Sequence, residues 1–119
     1  MGLNELAKEL HETAIEKGWY DIIQGENAFV ERMCNNLHDE VSELHEAWRN
    51  GNLHLPCDKA VKMVDAGLPS LSCLEEELAD IIIRALDNAV YLGIDIEEAV
   101  ITKHRYNKLR EYRHGGKKS

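Results

Sequence analysis

The chain reads as an all-α domain, and three observations predict it. Apolar residues recur at three- and four-residue steps through four segments, helix-starting and helix-ending residues punctuate those segments, and no stretch alternates apolar with polar as a strand would. At 119 residues, with 44% hydrophobic and 30% charged, the composition is that of one globular, helix-rich domain able to bury a real core.

The first helix is expected over Leu3–Lys17, where Leu3, Leu6, Ala7, Leu10, Ala14 and Ile15 follow the helical period, and Gly18 ends it. Trp19-Tyr20-Asp21 and Gly25 form a connector. The second helix runs from Glu26 to Trp48 and stops at Asn50-Gly51-Asn52. Its stripe is Val30, Cys34, Leu37, Val41, Leu44 and Trp48, the alternation of four and three that a bundle seam needs. Residues 50–73 break the pattern with Gly51, Pro56, Gly67 and Pro69, leaving room for a short helix over Lys59–Asp65. So long a connection in a small bundle is more often functional than idle. The third helix opens with the capping box Ser72-x-x-Glu75 and runs to Leu92 before Gly93. Leu74, Leu78, Ile81, Ile82, Ala85, Leu86 and Ala89 form its core face, while Ile83 and Val90 are apolar on a further side and point to a dimer interface. The fourth helix opens with Asp95-x-x-Glu98 and continues to Arg110. The domain is taken as residues 1–112, with 113–119 a basic tail.

A net charge of −8 argues against a surface built for a nucleic-acid backbone, which needs a basic stripe. It does not exclude a free nucleotide, which brings its own Mg²⁺. No apolar run nears the roughly 20 residues that cross a bilayer, and Met1-Gly2-Leu3-Asn4-Glu5 has no signal-peptide pattern. The expectation is therefore a cytoplasmic protein without membrane or nucleic-acid partners. Cys34, Cys57 and Cys73 form no C-x-x-C, and the six histidines match neither H-E-x-x-H nor the E-x-x-H of di-iron bundles. His38-Asp39 lacks the separated partners of an HD-type phosphohydrolase. Gly115-Gly116-Lys117-Lys118-Ser119 lacks the first glycine of a phosphate loop.

What remains is oxygen-ligand chemistry. Glu40-x-x-Glu43 and Glu77-x-x-Asp80 each place two carboxylates side by side on a helix, at a cost of roughly 0.2–0.5 kcal/mol per like-charged pair in an isolated helix. On helical wheels Glu40 and Glu77 sit on the shoulders of their apolar stripes, and Glu43 and Asp80 lie further round the same sides. The doublets are thus equivalent, as two antiparallel helices sharing one site require. Glu43 and Asp80 face a pocket only if the first helix, the connection or a second subunit covers them. Converging carboxylates favour Mg²⁺ or Mn²⁺, and such sites usually act on phosphate esters. Two solvated acidic faces are the alternative. Lys103, Asn107 and Arg110 share one face of the last helix, suited either to a polyphosphate or to complementing the helix dipole.

Leu37-His38-Asp39-Glu40-Val41-Ser42-Glu43-Leu44-His45-Glu46-Ala47-Trp48 resembles the first motif of the MazG-like nucleotide pyrophosphohydrolases, in the all-α NTP pyrophosphatase superfamily. Glu75–Arg84 is similar to their second motif. Gly93-Ile94-Asp95-Ile96-Glu97-Glu98-Ala99-Val100, Lys103-x-x-x-Asn107-x-x-Arg110 and the terminal Tyr112-Arg113-His114-Gly115 follow in the family's order. The resemblance spans residues 26–115 and implies a four-helix-bundle-like fold that hydrolyses a (deoxy)nucleoside triphosphate to monophosphate and pyrophosphate. It implies Mg²⁺ on Glu40, Glu43, Glu77 and Asp80, with one carboxylate, Glu43 by preference and otherwise Glu40, as general base. It also implies substrate phosphates on Lys103, Asn107 and Arg110. Trp48 continues the core stripe or stacks on a base, and Trp19 packs the first helix or lines the pocket. A homodimer or homotetramer that cleanses the nucleotide pool follows as an expectation. The 50–73 connection is longer than the family's, which leaves the metal pattern intact and the base and sugar open. A non-catalytic helical interaction module and a phosphohydrolase of phosphoribosyl nucleotides are the competing readings.

Overall fold

Five helices and no strand make up the residues described by the computed structural model, 1–22 and 25–110. They are α1 (Leu3–Glu16), α2 (Glu26–Arg49), α3 (Ala60–Asp65), α4 (Cys73–Tyr91) and α5 (Ile96–Leu109). The all-α expectation is met, and the short helix inside the 50–73 connection is α3. The basic tail 113–119 lies outside the described residues.

The helix ends follow local chemistry. Gly18 stops α1 at φ +85°, letting Trp19 N–H reach Ala14 O at 3.0 Å. A side chain there would meet left-handed strain and an Asp21 oxygen 2.9 Å from its Cβ. At α4 the capping box closes, with Ser72 Oγ accepting from Glu75 N–H at 3.1 Å and Glu75 Oε1 accepting from Ser72 N–H at 2.9 Å. At α5 Asp95 accepts from Glu98 N–H at 3.1 Å, but Glu98 turns to the Thr102 hydroxyl instead of closing a box. Its neighbour Glu97 reaches the Leu3 N–H at 2.7 Å, and Asn4 donates to Asp95 at 2.8 Å, which ties the starts of α1 and α5 together.

The central element is α4. Both α1 and α2 run antiparallel to it, α5 touches α1 and α4, and neither α1 nor α5 approaches α2. His11–Asp87 fixes the register of α1 on α4, while Phe29–Tyr91 and Glu40–Arg84 fix that of α2. Ala7 and Ala14 of α1 are buried, and such small residues let that helix lie close to α4. Phe29, buried against Tyr91 at a centroid distance of 4.1 Å, contributes roughly 1.5–3 kcal/mol.

Beside this aromatic contact lies a buried polar knot. Asp87 Oδ1 sits 2.8 Å from His11 Nδ1 and accepts from the Tyr20 hydroxyl at 2.9 Å, with Asn88 Oδ1 3.1 Å from the same hydroxyl. Burial first, then the hydrogen bond to Asp87, pushes the Tyr20 hydroxyl well above the ordinary phenol range. Tyr20, just after α1, is thus bolted to the C-terminal end of α4.

Two expected core stripes are corrected. On α2, Val30, Leu37 and Leu44 are partly buried, but Cys34, Val41 and Trp48 are exposed. On α4, Leu86 and Ala89 are buried, while Ala85 is exposed and Leu78 and Ile82 are 46% and 54% exposed. The surplus apolar side is therefore Leu78/Ile82, not Ile83/Val90, which are partly buried. The cause is the placement of α4 between two neighbours: its inward surfaces splay toward α1 and α2, and the α2–α4 seam rotates onto the acids. Glu40 and Glu76 are buried there instead.

Candidate functional site

Antiparallel α2 and α4 bring the first doublet against the second. Glu40, Glu43 and Glu77 each offer one carboxylate oxygen, all within 4.8 Å of one another. Glu40 is buried, Glu77 partly buried and Glu43 exposed, so the cluster opens at Glu43. Asp80 lies outside that group. It is partly buried one turn along α4, close enough to feel the charges of Glu40 and Glu76. Three of the four doublet carboxylates thus meet across the α2–α4 seam, and the connection after α2 supplies the covering surface that Glu43 needs to face a cavity.

The charges show the strain of this arrangement. Withdrawal from water, then the neighbouring Glu43 carboxylate and a hydrogen bond shared with it, lifts the Glu77 carboxyl from 4.5 to about 7. Glu43 is raised by desolvation and the Glu40 charge, and Asp80 by burial and then Glu40 and Glu76. Arg84 supplies one counter-charge: its Nε donates to Glu40 Oε1 at 2.8 Å while its guanidinium lies 5.2 Å over the Trp19 ring. Glu40 Oε2, Glu76 Oε2 and Glu77 Oε2 remain buried without a hydrogen-bond partner, each at a cost of roughly 1–3 kcal/mol. An all-oxygen donor set with orphaned, buried acceptors fits a hard divalent cation. It is the single metal-capable group of acids, histidines and cysteines among the described residues.

The connection between the acidic helices folds back onto this end of the bundle. Cys57 N–H donates to Leu71 O, Cys73 N–H to Leu55 O and Leu74 N–H to Leu53 O, each at 2.9 Å. That tether carries Lys59 to the first turn of α4, where its Nζ lies 3.1 Å from Glu76 Oε1. The hydrogen bond to Glu76 raises the Lys59 pKa, so the ammonium stays charged. Between the connection and the cluster opens a cavity of about 430 Å³, whose walls include Glu43, Glu77, Glu76, Lys59, Asn50 and Asn52. A second cavity, of about 660 Å³, is lined by Trp19, Ile22, Arg32, Asn36 and Arg84, the residue that pairs with Glu40.

The remaining sequence candidates are not gathered at the cluster. Lys103 and Asn107 are exposed on α5, while Arg110, expected on the same helix, follows its end at Leu109 in an extended conformation; Lys103 and Arg110 both lie over the Tyr106 ring, at 4.9 and 5.8 Å. Trp48 is 59% exposed and lines a shallow apolar groove with Val41, Leu44, His45, Leu53 and Leu74. Three side chains close to the cluster escaped the reading of the sequence. Arg84 had a signal, because it stands four residues after Asp80 and seven after Glu77 on one helix face. Glu76 and Lys59 had none, since their meeting depends on the fold of the connection. No protein-family model, curated protein or solved structure matches the chain. No helix among the described residues is long and apolar enough to cross a membrane.

Proposed function

We propose that this protein is a divalent-cation-dependent nucleoside triphosphate pyrophosphohydrolase of the MazG-like kind, built on that family's bundle and cleaving between the α- and β-phosphates. The observation that carries the reading is the meeting of Glu40, Glu43 and Glu77 within 4.8 Å, with buried acceptor oxygens lacking donors, at the wall of a cavity of about 430 Å³. That volume lies in the range of small-molecule sites.

Glu40, Glu43 and Glu77, with Asp80 beside them, would hold Mg²⁺, or Mn²⁺ in its place. Such an ion offsets the charge of phosphate oxygens and lowers the pKa of water. The chain's own groups have separable tasks. Arg84 occupies Glu40 Oε1 and leaves the buried Oε2 without a donor. Glu43, exposed at the mouth, takes the proton of the attacking water on a carboxylate oxygen; its raised pKa brings it closer to neutrality, where a general base works best. Lys103, Asn107 and Arg110 remain candidates for the phosphates. Because α5 does not approach α2 within one chain, they reach a site in a second copy. The exposed apolar side chains Val41 and Trp48 on α2 and Leu78 and Ile82 on α4 support a homodimer or homotetramer. A non-catalytic interaction module would use the same side chains.

Incubating the protein with Mg²⁺ and a panel of canonical, modified and phosphoribosyl nucleotides, with chromatography of the products, tests the reading. Monophosphate plus pyrophosphate from a triphosphate is expected. Diphosphate plus orthophosphate means a different bond is cut, turnover of phosphoribosyl nucleotides alone shifts the substrate class, and no turnover at all favours the module.

A further inference from the structure

We propose that Lys59, delivered by the 50–73 connection, is the cation that binds a phosphate group of the substrate in the cavity beside the acid cluster, and that Glu76 holds it ready. The inference rests on the reading of that cavity as a polyphosphate site. Among the residues lining the cavity Lys59 is the one base, set against Glu43, Glu46, Asp58, Glu76 and Glu77. An anionic ligand entering there meets a strongly negative wall and needs every positive group available.

The Lys59–Glu76 pair has the geometry of a held ligand group more than of a structural bridge. The Glu76 side chain is 9% exposed and the Lys59 side chain 59%. Glu76 Oε1 takes the ammonium at 3.1 Å, yet Oε2 is buried with no partner. An ion pair repays the desolvation of its carboxylate best when hydrogen bonds satisfy both oxygens, and here Oε2 is left over. Here the carboxylate is sunk in the wall and the cation stands at the surface of the cavity with donors to spare, since an ammonium has three N–H groups. The second neighbour, Asp58 at 3.6 Å, is itself exposed and adds little. The backbone bonds that fasten the connection to the start of α4 keep Lys59 in position, and the Asn50 and Asn52 amides flank the same space.

The test uses the whole chain and two probes, Mg²⁺ alone and then inorganic pyrophosphate in Mg²⁺, with affinities measured by calorimetry for wild type, Lys59→Met, Lys59→Arg and Glu76→Gln. Removing the charge should leave Mg²⁺ binding equal or tighter and weaken pyrophosphate about tenfold or more. Lys59→Arg should recover most of that loss. Glu76→Gln, which keeps an amide oxygen to hold the ammonium but removes the charge that pairs it, should weaken pyrophosphate less than Lys59→Met does, whereas a merely structural pair would lose binding and melting temperature together in both Met and Gln variants. Mg²⁺ binding with pyrophosphate affinity unchanged in Lys59→Met overturns this inference and spares the metal site. Failure of the wild type to bind Mg²⁺ overturns the metal reading and this inference with it. Circular dichroism shows that each variant is folded, and Lys59→Gln serves if the Met variant is not.

Discussion

Replacing Glu77 by glutamine should stabilise the metal-free protein at alkaline pH and weaken its response to Mg²⁺. Glu77 has its pKa lifted from 4.5 to about 7, so the folded state holds a proton that the unfolded state releases earlier. Stability therefore falls as pH rises through that window, and the penalty is complete above pH of about 7. At 1.36 kcal/mol per unit the shift corresponds to about 3 kcal/mol for a fully withdrawn group. Glu77 is only partly buried, so solvent screening reduces this to about 1–2 kcal/mol. Glutamine keeps the shape, removes the charge and can donate to Glu43. In melts with EDTA the variant should gain about 4–8 °C at pH of about 8 and almost nothing at about 5. Saturating Mg²⁺ stabilises whatever binds it, by about 2.7 kcal/mol at a hundred times Kd, and the variant, short of one anionic ligand, should gain less than wild type. An equal gain at both pH values would refute the electrostatic account. Equal Mg²⁺ shifts in the two proteins would remove Glu77 from the metal site.

Sedimentation equilibrium should find a dimer or larger at micromolar concentration, and Ile82→Asp should shift it toward monomer; a wild type that runs only at 13.6 kDa contradicts an oligomer. Lys103→Ala and Arg110→Ala should each lower kcat/KM about ten- to a hundredfold with little change in melting temperature, since both are exposed; unchanged kinetics in both removes α5 from catalysis. Asp87→Ala, which strips His11 and Tyr20 of their shared partner, should cost about 2–4 kcal/mol in urea unfolding, and a loss within experimental error would show the knot to be dispensable.

Proximity within the chain accounts for the acid cluster and not for the other residues that the sequence put forward. Glu40, Glu43 and Glu77 meet because α2 and α4 are antiparallel neighbours in one register, and Arg84 joins them from the same helix face. Lys103 and Asn107 keep their helical spacing, Arg110 lies just past the end of α5, and none of them has α2 beside it within the chain. Trp48 likewise belongs to an uncovered apolar groove and not to the cavity that contains the acids.

Local physics made the helices legible. The Ser72 box, the Asp95 cap, Gly18 and the three-and-four periodicity depend on residues within one or two turns of each other, so they are written directly in the order of the chain. The pairing of the two acidic doublets was legible for the same reason, as a repeat at helical spacing. Which face of each helix would be buried was not. Val41, Trp48, Leu78 and Ile82 read as core because an apolar stripe ordinarily faces inward, but α4 is flanked by α1 on one side and α2 on the other, and its seams settle on Glu40, Glu76 and the Asp87 knot. Wheel positions carry no information about how many neighbours a helix has or at what angle they lie. The Lys59–Glu76 pair depended on the connection as well, since backbone bonds at Leu53, Leu55 and Leu71 decide where a lysine seventeen positions before Glu76 comes to rest. Such contacts are long-range and set by tertiary geometry, and only the folded chain holds them.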